Sequence, residues 1–359
     1  MRPRPPTKRL GCAHHVAIVA ALLALAAVAY LTRHRDAAAR LWSDQQALRE
    51  GASDARALAS PADLLAWVEA HPEHASLVVL DADGTELVAY TADRPRRVPS
   101  LPDLWTVAAW AQHPRLQLPG TGPREPHVLP EMLDVRRLEP APPTADTLTV
   151  SALIDRTVAG DGAAASLLLA AVGPARAARQ AEAYGSEGPL PLEGLRLAWA
   201  EGDAAGATSH ALSRRLAGDA RFRDEARALF ASGTQALSLR EQRAVAAASF
   251  PRGTARGYAR LLSDALGRRL VTPEAAERFL DATALPSSDS LRLGAKGGGF
   301  PGHLAFAAWS EAPGAGGGRA AVLLLNDLPI GLFYHLSQTG LDAALVLDLV
   351  VTDAFSGRP

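Results

Sequence analysis

The sequence predicts an α+β fold in which strands from both ends of the chain form one antiparallel sheet beside a block of helices. Two short β-rich runs, 76–81 and 86–91, enclose Asp83-Gly84, which is a hairpin signal. Helical spacing of apolar residues then dominates from about 148 to 283. Strand character returns late in the chain, in segments 290–293, 304–310 and 320–325. Strands and helices segregated in this way indicate an α+β arrangement.

The other elements follow from local signals. Residues 36–71 carry apolar side chains at helical spacing, and Ser60 followed by Pro61 predicts that a new helix begins there. Residues 104–112 read as an apolar helix, and 331–351 predict a closing helix. Two segments are predicted as connections, a proline-rich passage at 119–143 and a glycine-rich hairpin loop at 313–318.

Composition excludes several classes of function. The chain of 359 residues has 37 Lys and Arg against 38 Asp and Glu, so it lacks the basic excess of a nucleic-acid-binding protein. Cys12 is the one cysteine, which excludes an intramolecular disulfide and a cysteine-based zinc site. The histidines form neither an H-x-x-x-H pair nor an H-E-x-x-H helix. We therefore predict no metal and no cofactor.

The amino-terminal segment predicts a membrane anchor. Residues 16–31 carry no charge and as a helix would span about 24 Å, slightly short of a hydrocarbon core of ~30 Å. The preceding segment contains Arg2, Arg4, Lys8 and Arg9, which favours a cytoplasmic amino terminus. The alternative is a cleaved signal peptide ending near Ala27-Val28-Ala29, and the protein would then be secreted. Both interpretations place the body of the chain outside the cytoplasm.

The predicted organisation has three parts. Residues 1–35 form a cytoplasmic tail and anchor, or the signal peptide. Residues 36–74 form a helical lead-in. Residues 75–355 form the α+β domain, within which about 104–285 make the all-helical subdomain.

Ser100-Leu-Pro-Asp103 opens the predicted apolar helix directly after the hairpin. The two side chains are one helical turn apart, so Asp103 can reach the Ser100 hydroxyl. The same spacing is close to a capping box, in which Ser100 caps the helix and Asp103 lies at its positive end. One hydroxyl cannot serve both purposes, and the sequence leaves both interpretations open.

A second segment, Gly160-Asp161-Gly162, separates two predicted helices. It is a good turn sequence in which Asp161 would cap the following helix. A third segment, Lys296-Gly297-Gly298-Gly299, precedes a predicted strand. It does not fit a phosphate-binding loop, which requires Gly-Lys-Ser/Thr before a helix.

Together these segments, in this order, resemble the S-x-x-K, S-D-N and K-T-G motifs of class A β-lactamases and D-alanyl-D-alanine peptidases. The resemblance covers roughly residues 75–350 and implies the fold of that family, a β-lactamase/transpeptidase-like α+β fold. It implies Ser100 as the nucleophile, with Asp103 in place of the motif lysine. Asp161 matches the central aspartate, with glycines in place of the serine and asparagine. The implied catalytic residues are Ser100, Asp103, Asp161 and Lys296, and the implied substrate-binding residues are Gly297, Gly298 and Gly299.

The departures from the motifs fall at positions that transfer protons in the family. The family's E-x-x-L-N segment is also not visible, although three glutamates lie in the corresponding region, Glu187, Glu193 and Glu201. The resemblance therefore implies a catalytically impaired or inactive domain that binds a cell-wall ligand, a peptidoglycan peptide or a β-lactam, or serves as a scaffold. The alternative is an active serine acyl hydrolase that uses Ser100.

Overall fold

The computed structural model describes residues 35–113, 150–203, 205–231, 237–286, 291–311 and 317–351. The predicted anchor at 16–31, the passage at 119–143 and most of the loop at 313–318 lie outside these residues. The chain divides into two units, 1–46 and 47–359, and the sheet and the candidate site belong to the second. Within the six described ranges, no helix has the length and apolar character needed to cross a membrane.

The elements are numbered here in chain order. The strands are β1 (Ala75–Asp81), β2 (Glu86–Tyr90), β3 (Arg96–Arg97), β4 (Arg252–Gly253), β5 (Arg292–Phe300), β6 (His303–Glu311) and β7 (Gly318–Leu325). The early helices are α1 (Arg35–Ala47), α2 (Ala52–Ala57), α3 (Pro61–Ala70) and α4 (Asp103–Gln112). The later helices are α5 (Val150–Val158), α6 (Gly162–Val172), α7 (Pro174–Glu182), α8 (Leu192–Ala200), α9 (Ser209–Gly218), α10 (Ala220–Ala231), α11 (Leu239–Ser249), α12 (Ala255–Leu266), α13 (Pro273–Thr283), α14 (Ile330–Thr339) and α15 (Leu341–Val351).

The main sheet confirms the predicted α+β class. Its strand order is β2-β1-β7-β6-β5, and every neighbouring pair is antiparallel. Val78 of β1 pairs with Val322 of β7, so strands from the two ends of the chain meet at its centre. The strands β3 and β4 form a separate two-stranded sheet. The predicted hairpin is β1 and β2, whereas β5 is much longer than the predicted strand at 290–293.

Both faces of the main sheet are buried. On one face, Val78 and Val322 belong to a core with residues of α4, α12 and α13. On the other face, Leu77 and Leu323 belong to a core with residues of α3, α14 and α15. Because successive side chains of a strand point to opposite faces, each strand contributes to both cores.

Two helical predictions need detail or correction. The predicted cap is confirmed at α3, where the Ser60 hydroxyl accepts a hydrogen bond from Asp63 N at 3.2 Å. The single closing helix predicted at 331–351 was wrong, because the chain forms α14 and α15 with Gly340 between them. Gly340 has φ +66°, a left-handed conformation that glycine adopts readily and that ends a helix.

The pairing of β5 with β6 fixes which side chains of β5 share a face of the sheet. Phe300 pairs with His303 across Pro301-Gly302, and Gly302 has φ +83°, as expected after proline in a tight turn. The register places Lys296 opposite Ala307 of β6. The alternation of side chains therefore puts residues 296 and 298 on one face of β5, and 297 and 299 on the other.

Candidate active site

Ser100 lies just before α4 in a left-handed conformation. Its φ is +58°, a region that residues other than glycine seldom occupy and that often marks a functional site. The N-cap of α4 is Pro102, and no side chain caps the helix there. The interpretation of Ser100 as a helix cap was therefore wrong, because the helix begins at Asp103 and leaves Ser100 two residues before the cap position.

The main chain that leads to Ser100 is held from both sides. Val98 N donates to Pro251 O at 3.0 Å. The Asn326 side chain accepts from Arg97 N at 2.6 Å and donates to Arg97 O at 2.8 Å. The Arg97 guanidinium donates to the Phe250 carbonyl. These bonds fix the path of the chain immediately before the serine.

Lys296 and Asp103 form an ion pair behind Ser100. Lys296 Nζ lies 3.2 Å from Asp103 Oδ2 and donates to Thr157 O at 2.6 Å. The lysine side chain is 1 % exposed and the aspartate side chain 20 %. Burial raises the pKa of Asp103, and the charge of Lys296 and its hydrogen bond act in the opposite direction. The pair joins β5 to the start of α4 and the last turn of α5.

The glycines of β5 have different neighbours on the two faces of the strand. A Cβ atom on Gly298 would lie 2.3 Å from Ser100 Cβ and 2.4 Å from Ser100 Oγ. A Cβ on Gly297 would instead lie 2.5 Å from the ring of Phe306. Gly299 lines the cleft described below. Gly298 therefore makes room for Ser100, and its implied role in substrate binding stays a prediction.

Asp161 caps α6. Its carboxylate accepts from Ala164 N at 3.0 Å and from Arg156 Nε at 2.7 Å. The bond from Ala164 N agrees with the turn-and-cap interpretation of the sequence, and the ion pair with Arg156 is an additional contact. Gly160 and Gly162 on either side of it line the cleft, whereas Asp161 does not.

A cleft of about 180 Å³ lies in front of Ser100. Apolar side chains and glycines make up most of its walls, and its charged lining residues within the described part of the chain are Asp103 and Arg196. The lining residues are Val98, Pro99, Ser100, Pro102, Asp103, Gly160, Gly162, Ala165, Leu190, Leu192, Leu195, Arg196, Phe250, Pro251, Gly299 and Phe300.

Two of the glutamates considered for activating a deacylating water, Glu187 and Glu201, are described by the structure and do not line this cleft. Glu187 is exposed and accepts from Arg252 N at 2.8 Å. Glu201 follows α8 and is also exposed. Among the residues that the structure describes, no three His, Cys, Asp or Glu side chains come together as a metal site.

The sequence analysis did not identify Thr157 or Asn326. Thr157 contributes through its carbonyl oxygen, which every residue type possesses. Asn326 follows β7 and acts on a segment more than 200 residues earlier in the chain. Neither contact leaves a signal in local sequence.

Comparison with solved structures gives a consistent group of neighbours. The chain is similar to class A β-lactamases. It shares 15 % identity with a β-lactamase from Sphaerobacter thermophilus, at a TM-score of 0.48, covering 79 % of this chain and 97 % of that one. It shares 16 % identity with a β-lactamase from Xanthomonas campestris, at a TM-score of 0.48, covering 81 % and 99 %.

A third neighbour is the L2 protein complexed with relebactam. It shares 16 % identity with this chain, at a TM-score of 0.47, and the match covers 81 % of this chain and 97 % of L2. No family model matches the sequence, and no curated protein matches it.

Proposed function

We propose that the chain is a membrane-anchored, extracytoplasmic ligand-binding module with a β-lactamase-like fold, in which Ser100 does not complete acyl transfer. The observation that carries this proposal is the bonding of Lys296. Its Nζ contacts Asp103 Oδ2 and donates to Thr157 O, so the ammonium form is held by two acceptors. A lysine held in this way cannot accept the proton that Ser100 must lose when its oxygen attacks a carbonyl.

The surroundings of Ser100 support the same conclusion. Among the described residues, the basic side chain nearest in the fold is Lys296, and its Nζ donates to Thr157 O instead of accepting from the Ser100 hydroxyl. The Asp103 carboxylate is near in sequence but is bound to Lys296. The cleft of about 180 Å³ is smaller than a typical ligand pocket of roughly 300–1,000 Å³, so it leaves room for one group of a ligand without the proton transfer that acylation requires.

The acylation test uses the full chain in detergent, incubated with a fluorescent penicillin and examined by intact mass. We expect no stoichiometric adduct after hours, while a class A β-lactamase or a penicillin-binding protein treated in parallel is acylated. The matched variant is Ser100→Ala, which removes only the hydroxyl. An adduct that forms on the unaltered chain and is lost in Ser100→Ala would overturn the proposal.

That outcome would favour the second candidate, an active serine acyl hydrolase. The left-handed backbone of Ser100 supports this candidate, because strain of this kind costs on the order of 1 kcal/mol and persists where the surrounding structure maintains it. In this case Asp103 would accept the serine proton after a rearrangement of the pair with Lys296.

The proposed anchor can be tested with Cys12, since it is the one cysteine of the chain. An anchor with a cytoplasmic amino terminus predicts that a membrane-impermeant maleimide labels Cys12 only after the cells are permeabilised. A cleaved signal peptide predicts a mature protein that is not labelled under either condition. Labelling of intact cells would contradict the proposed orientation.

A further inference from the structure

The cleft presents little net positive charge to a ligand. Lys296 is 2 % exposed and is not among the residues that line the cleft, and the carboxylate beside it belongs to Asp103, which does line it. A ligand therefore meets the acidic member of the pair first, with the basic member behind it. Placing a second carboxylate next to Asp103 would add repulsion between like charges in a partly desolvated site. Among the described lining residues, Arg196 is the cation and Asp103 balances it, so the cleft has no excess of positive charge to favour an anionic group beside Ser100.

The opposite wall is aromatic. Phe250 and Phe300 line the cleft and meet edge to face at 5.3 Å between ring centres. Trp199 supports both rings from behind, at 6.0 Å and 5.5 Å. Phe300 is half-buried and Phe250 is 4 % exposed, so an apolar or aromatic group would contact mainly the Phe300 ring and an edge of Phe250, both already held in place by the cluster. Leu190, Leu192 and Leu195 extend this apolar wall.

We propose that the cleft binds an uncharged ligand with an aromatic or large apolar acyl group, which packs on Phe250 and Phe300 while a neutral polar end lies beside Ser100 and Asp103. This inference rests on the proposed function, since it treats the cleft as a binding site. The class of ligand is inferred from the charged side chains and the aromatic rings that line the cleft.

The experiment compares three probes that differ in one feature each. The first is N-phenylacetyl-D-alanyl-D-alanine amide, the second is the same compound with a free carboxylate, and the third is the amide with an acetyl group in place of phenylacetyl. Binding to the full chain in detergent is measured by titration calorimetry. We expect the phenylacetyl amide to bind at least about tenfold more tightly than either of the other two, or about 1.4 kcal/mol.

Two variants identify the source of the preference. Asp103→Asn leaves the charge of Lys296 unbalanced, and we expect it to shift the preference by about tenfold toward the carboxylate probe. Arg196→Gln removes the cation that lines the cleft on α8, and we expect it to leave the preference for the amide unchanged. If the unaltered chain prefers the carboxylate and Arg196→Gln abolishes that preference, the inference is wrong.

Binding of none of the probes would also overturn the ligand class, whatever the acylation test shows. Conversely, tight binding of the amide together with an adduct on Ser100 would support the ligand class and overturn the proposed lack of acylation. The two proposals therefore fail by different results.

Discussion

Replacing Lys296 with methionine is expected to lower the free energy of unfolding by about 3–5 kcal/mol, which is the usual cost of removing one member of a buried ion pair. Methionine fills much of the same space, but it leaves the Asp103 carboxylate without its cation, while Thr157 O keeps only its hydrogen bond from Gly160 N at 3.1 Å. Both acceptors remain in a region where the lysine side chain is 1 % exposed. Urea unfolding followed by circular dichroism measures the change.

The control is the double variant Asp103→Leu with Lys296→Met. Since it removes both charges, it should recover most of the loss, because no buried charge is left unpaired and Thr157 O still accepts a hydrogen bond from Gly160 N. A cycle of the single and double variants then isolates the interaction between the two side chains. Equal stability of Lys296→Met and the unaltered protein would show that the pair has no structural importance.

His303 is expected to make the fold sensitive to acid. His303 is the first residue of β6, and it is 1 % exposed. Within the described residues, neither ring nitrogen has a hydrogen-bond partner of good geometry. Burial lowers the pKa of the imidazole from 6.5 to about 4, the charges of Arg243 and Arg97 act in the same direction, and Asp327 together with a weak backbone contact of Arg243 acts against them. Phe250 contacts the ring edge to face, at 6.4 Å between centres.

The direction in which stability changes with pH follows from whether His303 binds a proton in the unfolded and in the folded chain. Between pH 6.5 and about 4 the unfolded chain binds a proton at His303 and the folded chain does not, so stability falls as the pH falls. The full difference between the two pKa values corresponds to about 3 kcal/mol. This part of the acid loss should disappear in His303→Leu, which should be no less stable than the unaltered protein at pH 7 because no hydrogen bond is lost.

The measurement is the urea midpoint at half-unit steps from pH 7 to 4. The matched variant is His113→Gln, at the exposed end of α4, which should keep the original pH dependence. If His303→Leu loses stability with falling pH as steeply as the unaltered protein, the acid sensitivity belongs to other groups.

Much of the fold could be predicted from local sequence. The hairpin of β1 and β2 follows from β-rich runs on both sides of Asp83-Gly84, and the start of α3 follows from Ser60 and Pro61. These features depend on residues within one or two turns of each other. The length of β5 was not predicted because Lys296 and three glycines lack the β-branched side chains that indicate a strand. The segment forms a strand because it pairs with β6 along its whole length.

The candidate site was less accessible to prediction because its contacts are distant in sequence. From local spacing we predicted that Asp103 contacts the Ser100 hydroxyl or lies at the positive end of the helix. In the structure its carboxylate pairs with Lys296. A buried lysine needs a partner, but no local pattern says which carboxylate supplies it. The assignment of catalytic roles to Ser100, Asp103, Asp161 and Lys296 remains a prediction that the acylation test addresses.

The central strand pair of the sheet also has a kinetic consequence. Residue 78 pairs with residue 322, so β1 has only β2 as a partner until nearly the whole chain has been synthesised. An isolated two-stranded hairpin is marginally stable, and contacts between such distant segments form slowly because a long loop must close first. The exposed edge of β1 is meanwhile available to other chains. Newly made protein is therefore most prone to aggregate before β7 arrives, and a truncation before Gly318, which removes β7, α14 and α15, should abolish folding of the sheet.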